Sequence, residues 1–137
     1  MKSITLARVG LAVFCLIIIA GSSVPGNKIP EVFELTPDKL IHCVEYFVLG
    51  LLIHHWLKLE FPSNKNLTLL LITILLGSLF GIIDENYQRL TPGRSPDTWD
   101  WVLDTVGVSL SVFASNLLVG KINGNKKDPT LWQGLFF

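Results

Sequence analysis

Four apolar blocks, each close to the length that crosses a bilayer, constrain this chain more than any other feature. They run from about Leu6 to Ala20, Ile41 to Leu59, Leu67 to Ile83 and Trp101 to Val119. A hydrocarbon core of ~30 Å takes roughly 20 residues of helix. Within it every backbone N–H and C=O must find a partner inside the protein, which helices provide at once. The blocks reach the required length when their flanking polar turns are counted. The expected fold is therefore all-α: a polytopic membrane protein of about four transmembrane helices with short loops. Composition agrees, since only 16% of residues are charged and mean hydropathy is +0.50, against about a quarter charged in a soluble domain. Net charge is zero and no basic patch occurs, so the bilayer is an expected partner and nucleic acid is not.

Residues 1–120 form the expected membrane domain, and 121–137 a short cytoplasmic or interfacial tail whose aromatic end, Leu131 to Phe137, is too short to span. The first block could be a cleaved signal peptide, with Ala20 and Ser22 near a cut, but further spans follow and an uncleaved helix is expected. Thr36-Pro37-Asp38 and Ser95-Pro96-Asp97 each read as a hydroxyl N-cap, proline at the first helical position, then an acid. Pro62-Ser63-Asn64 and Thr91-Pro92-Gly93 break the chain between the second and third and the third and fourth blocks.

Lys and Arg in short loops set orientation. Lys2, Arg8, Lys58, Lys65, Lys121, Lys126 and Lys127 fall on one side, against Lys28, Lys39, Arg89 and Arg94 on the other. Seven against four places both termini in the cytoplasm. Acids sort more sharply: Glu31, Glu34, Asp38, Glu45, Asp84, Glu85, Asp97, Asp100 and Asp104 gather toward the outer face, and only Glu60 and Asp128 lie elsewhere.

Helical spacing turns those acids into a candidate polar pocket. Asp38, His42 and Glu45 share one face at i, i+4 and i+7, with Tyr46 beside it. Asp84 and Gln88 are one turn apart, with Glu85 turned about 100° away. Asp97, Asp100 and Asp104 form a stripe that Gly107 and Ser111 continue. A charge facing lipid costs at least ~2.5–3.5 kcal/mol at the bilayer centre, so Glu45 and Asp104, each about two turns inside a helix, are expected to face protein. Asp38 and Asp97 also have a plainer role, since an acid in a first turn complements the helix dipole. Asp84 and Glu85 lack that excuse at a helix C-terminus and need a cation, a proton or a donor; Arg94, Lys39 and Arg89 are the candidates. The carboxylates with His42 could hold a divalent cation, their oxygens suiting Mg²⁺, Ca²⁺ or Mn²⁺. Cys15 and Cys43 lie in apolar runs without ligand spacing. Gly77 and Gly81 are expected to allow close helix packing, and His54 and His55 to sit at the interface near the other face.

With these residues the chain resembles the VanZ-like family of bacterial membrane proteins. The resemblance rests on Asp38-Lys39-x-x-His42-x-x-x-Tyr46-x-x-x-Gly50, Gly81-x-x-Asp84-Glu85-x-x-Gln88, Thr91-Pro92-Gly93-Arg94, Asp97-x-x-Asp100 and Gly107, covering about 36–110. Asp104 departs from it, standing where the family pattern tends to have asparagine. The resemblance implies a small multi-span protein of the bacterial inner membrane, whose namesake is linked to resistance to teicoplanin, a lipid-bearing glycopeptide. It implies no reaction, and three readings stay open. One is a binding or envelope-protection module that takes a lipid-linked or amphiphilic ligand. Another is a membrane enzyme with His42 as general base and Asp84 or Glu85 orienting it, although neither a serine elbow nor an HExxH motif occurs. The last is a proton- or ion-coupled transporter, which four short helices would support only as an oligomer.

Overall fold

A computed structural model describes residues 2–28, 37–94 and 97–126, with side chains for 3–27, 40–94 and 97–117. Four helices and one 3-10 turn make up the fold: α1 (Lys2–Ser22), the turn Gly26–Lys28, α2 (Pro37–Glu60), α3 (Asn66–Gln88) and α4 (Thr98–Lys126). The described residues contain no strand. At 1.5 Å per residue the helices span roughly 30–45 Å, enough to cross a bilayer. The all-helical membrane architecture expected from the apolar blocks is what the chain forms.

Three helices are apolar enough to cross on hydropathy alone, over Ser3–Ser22, Leu40–Glu60 and Asn66–Gln88. α4 reaches spanning length with a more polar sequence and resolves the conflict by sidedness. Val106, Leu110, Phe113 and Leu117 form an exposed stripe along it, while Asp104, Gly107, Val108 and Ser111 are buried on the opposite face. Lipid therefore meets hydrocarbon, and the polar groups meet protein.

α2 and α3 each touch all three other helices, and among the described residues α1 and α4 do not meet. Cross-links near the helix ends fix the alternating directions. Arg8 at the start of α1 forms a bidentate pair with Glu60 at the end of α2, Nη2 to Oε1 at 2.6 Å and Nε to Oε2 at 3.1 Å. Asn66 at the start of α3 donates to Asn116 far along α4 at 2.7 Å. Ser23, just past α1, bonds the Tyr87 hydroxyl near the end of α3 at 2.9 Å. The α1 C-terminus, α2 N-terminus, α3 C-terminus and α4 N-terminus thus share one end of the bundle.

Punctuation works locally as its chemistry requires. Pro37 opens α2, where its missing N–H costs nothing. Gly93 takes φ 76°, a conformation L side chains resist, and closes the turn after α3. The Gly26 N–H donates to the Pro92 carbonyl at 3.1 Å, joining the α1–α2 segment to that turn. One boundary differs from expectation. Ser95-Pro96 was to open the fourth helix; instead α4 begins at Thr98, and Asp97 Oδ1 caps it by accepting the Trp99 N–H at 2.9 Å. A carboxylate reaching the N2 amide satisfies an orphan donor and meets the positive helix end at once. Thr36, Ser95 and Pro96 lie outside the described residues, as does the chain from Lys127 onward, which includes most of the expected tail.

Candidate functional site

The shared end is where the acids collect. Two turns into α2, His42 and Tyr46 face the bundle interior; the last turns of α3 bring Asp84, Glu85 and Gln88; the first turns of α4 bring Asp100 and Asp104. All seven are buried, and Tyr46, Asp84 and Asp104 fully so. Asp104 is within electrostatic reach of Asp84, Asp100 and Tyr46, and Glu85 of His42, Asp100 and Asp104.

The sharpest contact joins α2 to α4. His42 Nδ1 lies 3.2 Å from Asp104 Oδ1, both side chains shut away from solvent and lipid. With Nδ1–H as donor, the carboxylate fixes the ring's rotation and tautomer. Asp104 stands against the ring where the enzyme reading expects Asp84 or Glu85. α3 comes near because Gly81 has no side chain: a methyl there would stand 3.1 Å from Asp104 Oδ2 and 3.3 Å from the Trp101 ring.

Glu85 finds its donor in the backbone. Its Oε2 accepts the Asp97 N–H at 3.1 Å, so an acid at the unfavourable C-terminal end of α3 sits at the favourable N-terminal end of α4. Asp84 Oδ2 accepts from Gln88 Nε2 at 3.4 Å, and the same Gln88 amide reaches Ser22 Oγ on α1 at 3.4 Å. Among the described residues, Asp84 Oδ1, Glu85 Oε1, Asp104 Oδ2 and Tyr46 Oη are buried without a hydrogen-bond partner. Buried polar atoms are nearly always paired in folded proteins, so this concentration at one end of three helices sets the site apart.

Other candidates sit elsewhere. Arg94 points to α1, donating from Nε to the Val24 carbonyl at 3.3 Å and from Nη2 to the Gly21 carbonyl at 3.4 Å. A cation at a helix C-terminus matches the dipole there, and Thr91 adds a bond from Oγ1 to the Ser22 carbonyl at 3.0 Å. Glu45 is half-buried on α2 near Tyr46, and Asp97 is the α4 cap. Asp38 lies in the first turn of α2, but its side chain, with that of Lys39, lies outside the described residues, as do Glu31 and Glu34. Among the described residues no three His, Cys, Asp or Glu side chains are arranged to hold a metal ion.

Sequence reasoning missed some of the polar interior. His54, expected at the interface, is buried with its Nδ1 3.3 Å from Thr73 Oγ1, which itself donates to the Leu69 carbonyl at 2.8 Å. The signal was present: His42, Tyr46, Gly50 and His54 are spaced i+4 along α2, one inward stripe. Ser22 and Thr91 carried no such signal, since each matters only where α1 meets the turn after α3. A small open cleft of ≈ 150 Å³ also adjoins the acids, lined by Ile82, Glu85, Asn86, Arg89, Thr98 and Trp101.

Apolar spanning helices around a buried acidic end with one histidine define a helical membrane protein with a polar cluster in its interior. The chain belongs to the VanZ/LLP1 family, whose family model matches residues 10–119. No curated protein and no solved structure matches it.

Proposed function

We propose that this VanZ-like protein binds the polar head of a lipid-linked or lipid-bearing ligand at its acidic end, in the outer leaflet of a bacterial inner membrane, and so serves envelope protection or antibiotic resistance. One observation carries the reading. Asp84 Oδ1, Asp104 Oδ2, Glu85 Oε1 and Tyr46 Oη are buried together with no hydrogen-bond partner among the described residues. Leaving a buried polar group unsatisfied costs about 1–3 kcal/mol, and a ligand that brings donors to three carboxylate oxygens recovers it. Lipid flanks the helices that form this end, which suits a molecule with an acyl chain. The excess of Lys and Arg in the segments at the other end supports the outer placement.

The test is made in bacteria expressing the chain. Asp84→Asn and Glu85→Gln, which keep side-chain volume, are each expected to abolish tolerance to teicoplanin while membrane abundance stays at the parental level. Full tolerance in both variants rejects the reading. Cysteines introduced at positions 38 and 94, in a background lacking Cys15 and Cys43, should react with an impermeant maleimide on intact cells, and those at 58 and 126 only after lysis; the reverse pattern rejects the sidedness.

The His42–Asp104 pair favours a second reading, a membrane enzyme acting on a lipid-linked envelope substrate. A carboxylate-oriented imidazole is the usual arrangement of a general base. Purified protein at substoichiometric concentration would turn such a substrate over many times, whereas a binding module consumes none.

A further inference from the structure

α1 is tied to the bundle at both ends and stands off from it in between. At one end Arg8 holds Glu60. At the other, Ile18 and Ser22 are buried, and Thr91 and Arg94 donate to the carbonyls of Ser22, Gly21 and Val24. Between these ties lies a crevice of ≈ 160 Å³, lined by Leu11 and Cys15 of α1, by Leu49, Ile53 and Trp56 of α2 and, on α3, by Leu76. We propose that one acyl chain of a membrane phospholipid lies in this crevice, with the phosphate of that lipid on Arg8. The site is at the end of the bundle opposite the acids and goes beyond the function proposed above.

The lining chemistry points to a hydrocarbon chain. The gap is far above the ~10–15 Å³ that admits one water, but its lining residues are apolar, so water there finds no hydrogen-bond partner. Close-packed proteins leave few such voids, because the atoms around one forfeit dispersion contacts. The crevice lies within the apolar spans of α1, α2 and α3, and what surrounds those spans in a bilayer is lipid.

The order of residues on both helices runs from head group to chain. Arg8, Leu11 and Cys15 share one face of α1 at i, i+3 and i+7, and Glu60, Trp56, Ile53 and Leu49 share one face of α2 in steps of four, three and four. Charge stands at the membrane surface and hydrocarbon lies beneath it. Trp56 turns its polar edge to the charged lip, its Nε1–H donating to Glu60 Oε2 at 3.2 Å, while the residue also lines the crevice. Cys15 is about 10 Å deeper along the axis than Arg8, and the polar layer on each side of the hydrocarbon is roughly 5–7 Å thick. A phosphate at Arg8 therefore brings methylenes to the level of Leu11 and Cys15.

A chain by itself gains little by exchanging lipid for protein, since the two are equally apolar. Retention of one particular lipid falls to Arg8, whose side chain is 58% exposed. Glu60 accepts from its Nε and Nη2, and Nη1 has no partner among the described residues. A guanidinium carries five N–H donors, enough to hold a carboxylate on one edge and a phosphate on the other. A soluble phosphate would use Arg8 and leave the crevice unfilled, and for this reason the lipid is the committed source.

The full-length protein in detergent is offered equimolar phosphatidylglycerol and diacylglycerol with identical chains, and retained lipid is read by native mass spectrometry. Phosphatidylglycerol should be retained about tenfold over diacylglycerol, which lacks the phosphate, since one hydrogen bond to a charged group is worth that factor. Arg8→Gln should bring phosphatidylglycerol down to the diacylglycerol level. Glu60→Gln breaks the same ion pair but should keep the preference, which separates a phosphate site from a tie that only holds α1. Leu76→Trp, which fills the crevice from a partly exposed position on α3, should lower both lipids together. Equal retention of the two lipids by the parent, or a preference lost as fully in Glu60→Gln as in Arg8→Gln, overturns the phosphate assignment. Retention of both lipids at the parental level by Leu76→Trp overturns the crevice as the place of the chain. Competition by glycerol phosphate as potent as that by short-chain phosphatidylglycerol overturns the lipid as its source.

Discussion

Gly107→Ala destabilises the bundle, although alanine is the better helix former by about 1 kcal/mol. At Gly107, α4 crosses α2 with so little separation that a Cβ would run into the Cys43 carbonyl oxygen and reach within 3.0 Å of the Phe47 backbone nitrogen. Backbone cannot rotate away as a side chain can, so the two helices must part. Overpacking of this kind costs about 1–3 kcal/mol, and parting α2 from α4 also loosens the Gly50–Ser111 contact one turn along. The net loss expected is about 2 kcal/mol, with Gly107→Val worse again, read as unfolding free energy in mixed micelles. Gly10→Ala is the control, because nothing lies within 4 Å of the added methyl; there the propensity gain should appear with its ordinary sign. A stabilised Gly107→Ala protein would mean that α2 and α4 do not cross at this point, and the seating of His42 against Asp104 would go with it.

That dependence explains which parts of the site could be read from the chain and which could not. The spans were legible because lipid admits few alternatives: a long apolar run must be a helix, and proline and glycine mark where it stops. The collection of Asp84, Glu85, Asp100 and Asp104 at one end was legible as well, from helical period and alternating direction alone. Pairing was not. His42 and Asp104 are 62 positions apart, and their meeting depends on the rotation of two helices about their axes, which Gly107 and Gly50 fix through close approach. Arg94 was misleading for a related reason. Its charge suggested the neighbouring acids, but its long side chain follows the carbonyls at the end of α1, whose proximity no local pattern discloses. Glu85 found a backbone N–H instead of a cation, because the start of α4 lies against the end of α3. His54 is buried rather than interfacial because its i+4 register with His42 and Tyr46 puts it on the inward stripe of α2. Register outweighed polarity there, since Thr73 supplies a hydroxyl to meet it.

The largest single effect is expected at the pair those helix contacts create. His42→Ala removes the partner of a carboxylate that is fully buried, 0% exposed, beneath Gly81 and beside Asp84. Breaking a buried pair by deleting one member costs about 3–5 kcal/mol, because the survivor keeps its desolvation penalty and loses its compensation. Asp104→Ala should cost somewhat less, since the histidine left behind can stay neutral. The double variant should then recover much of the loss, for neither group remains to be satisfied, and the two single effects should exceed the double by more than about 1 kcal/mol. Asp104→Asn gives the finer cut. The amide oxygen still accepts from Nδ1–H in the same volume, so the fold should survive with a loss nearer to one ordinary hydrogen bond, about 1 kcal/mol. Unfolding free energies for the parent and these four variants in one lipid–detergent mixture measure every term. Additive single effects would show that the two side chains do not touch, and the acidic end would then owe its order to Glu85 and the α4 cap rather than to a bond between α2 and α4.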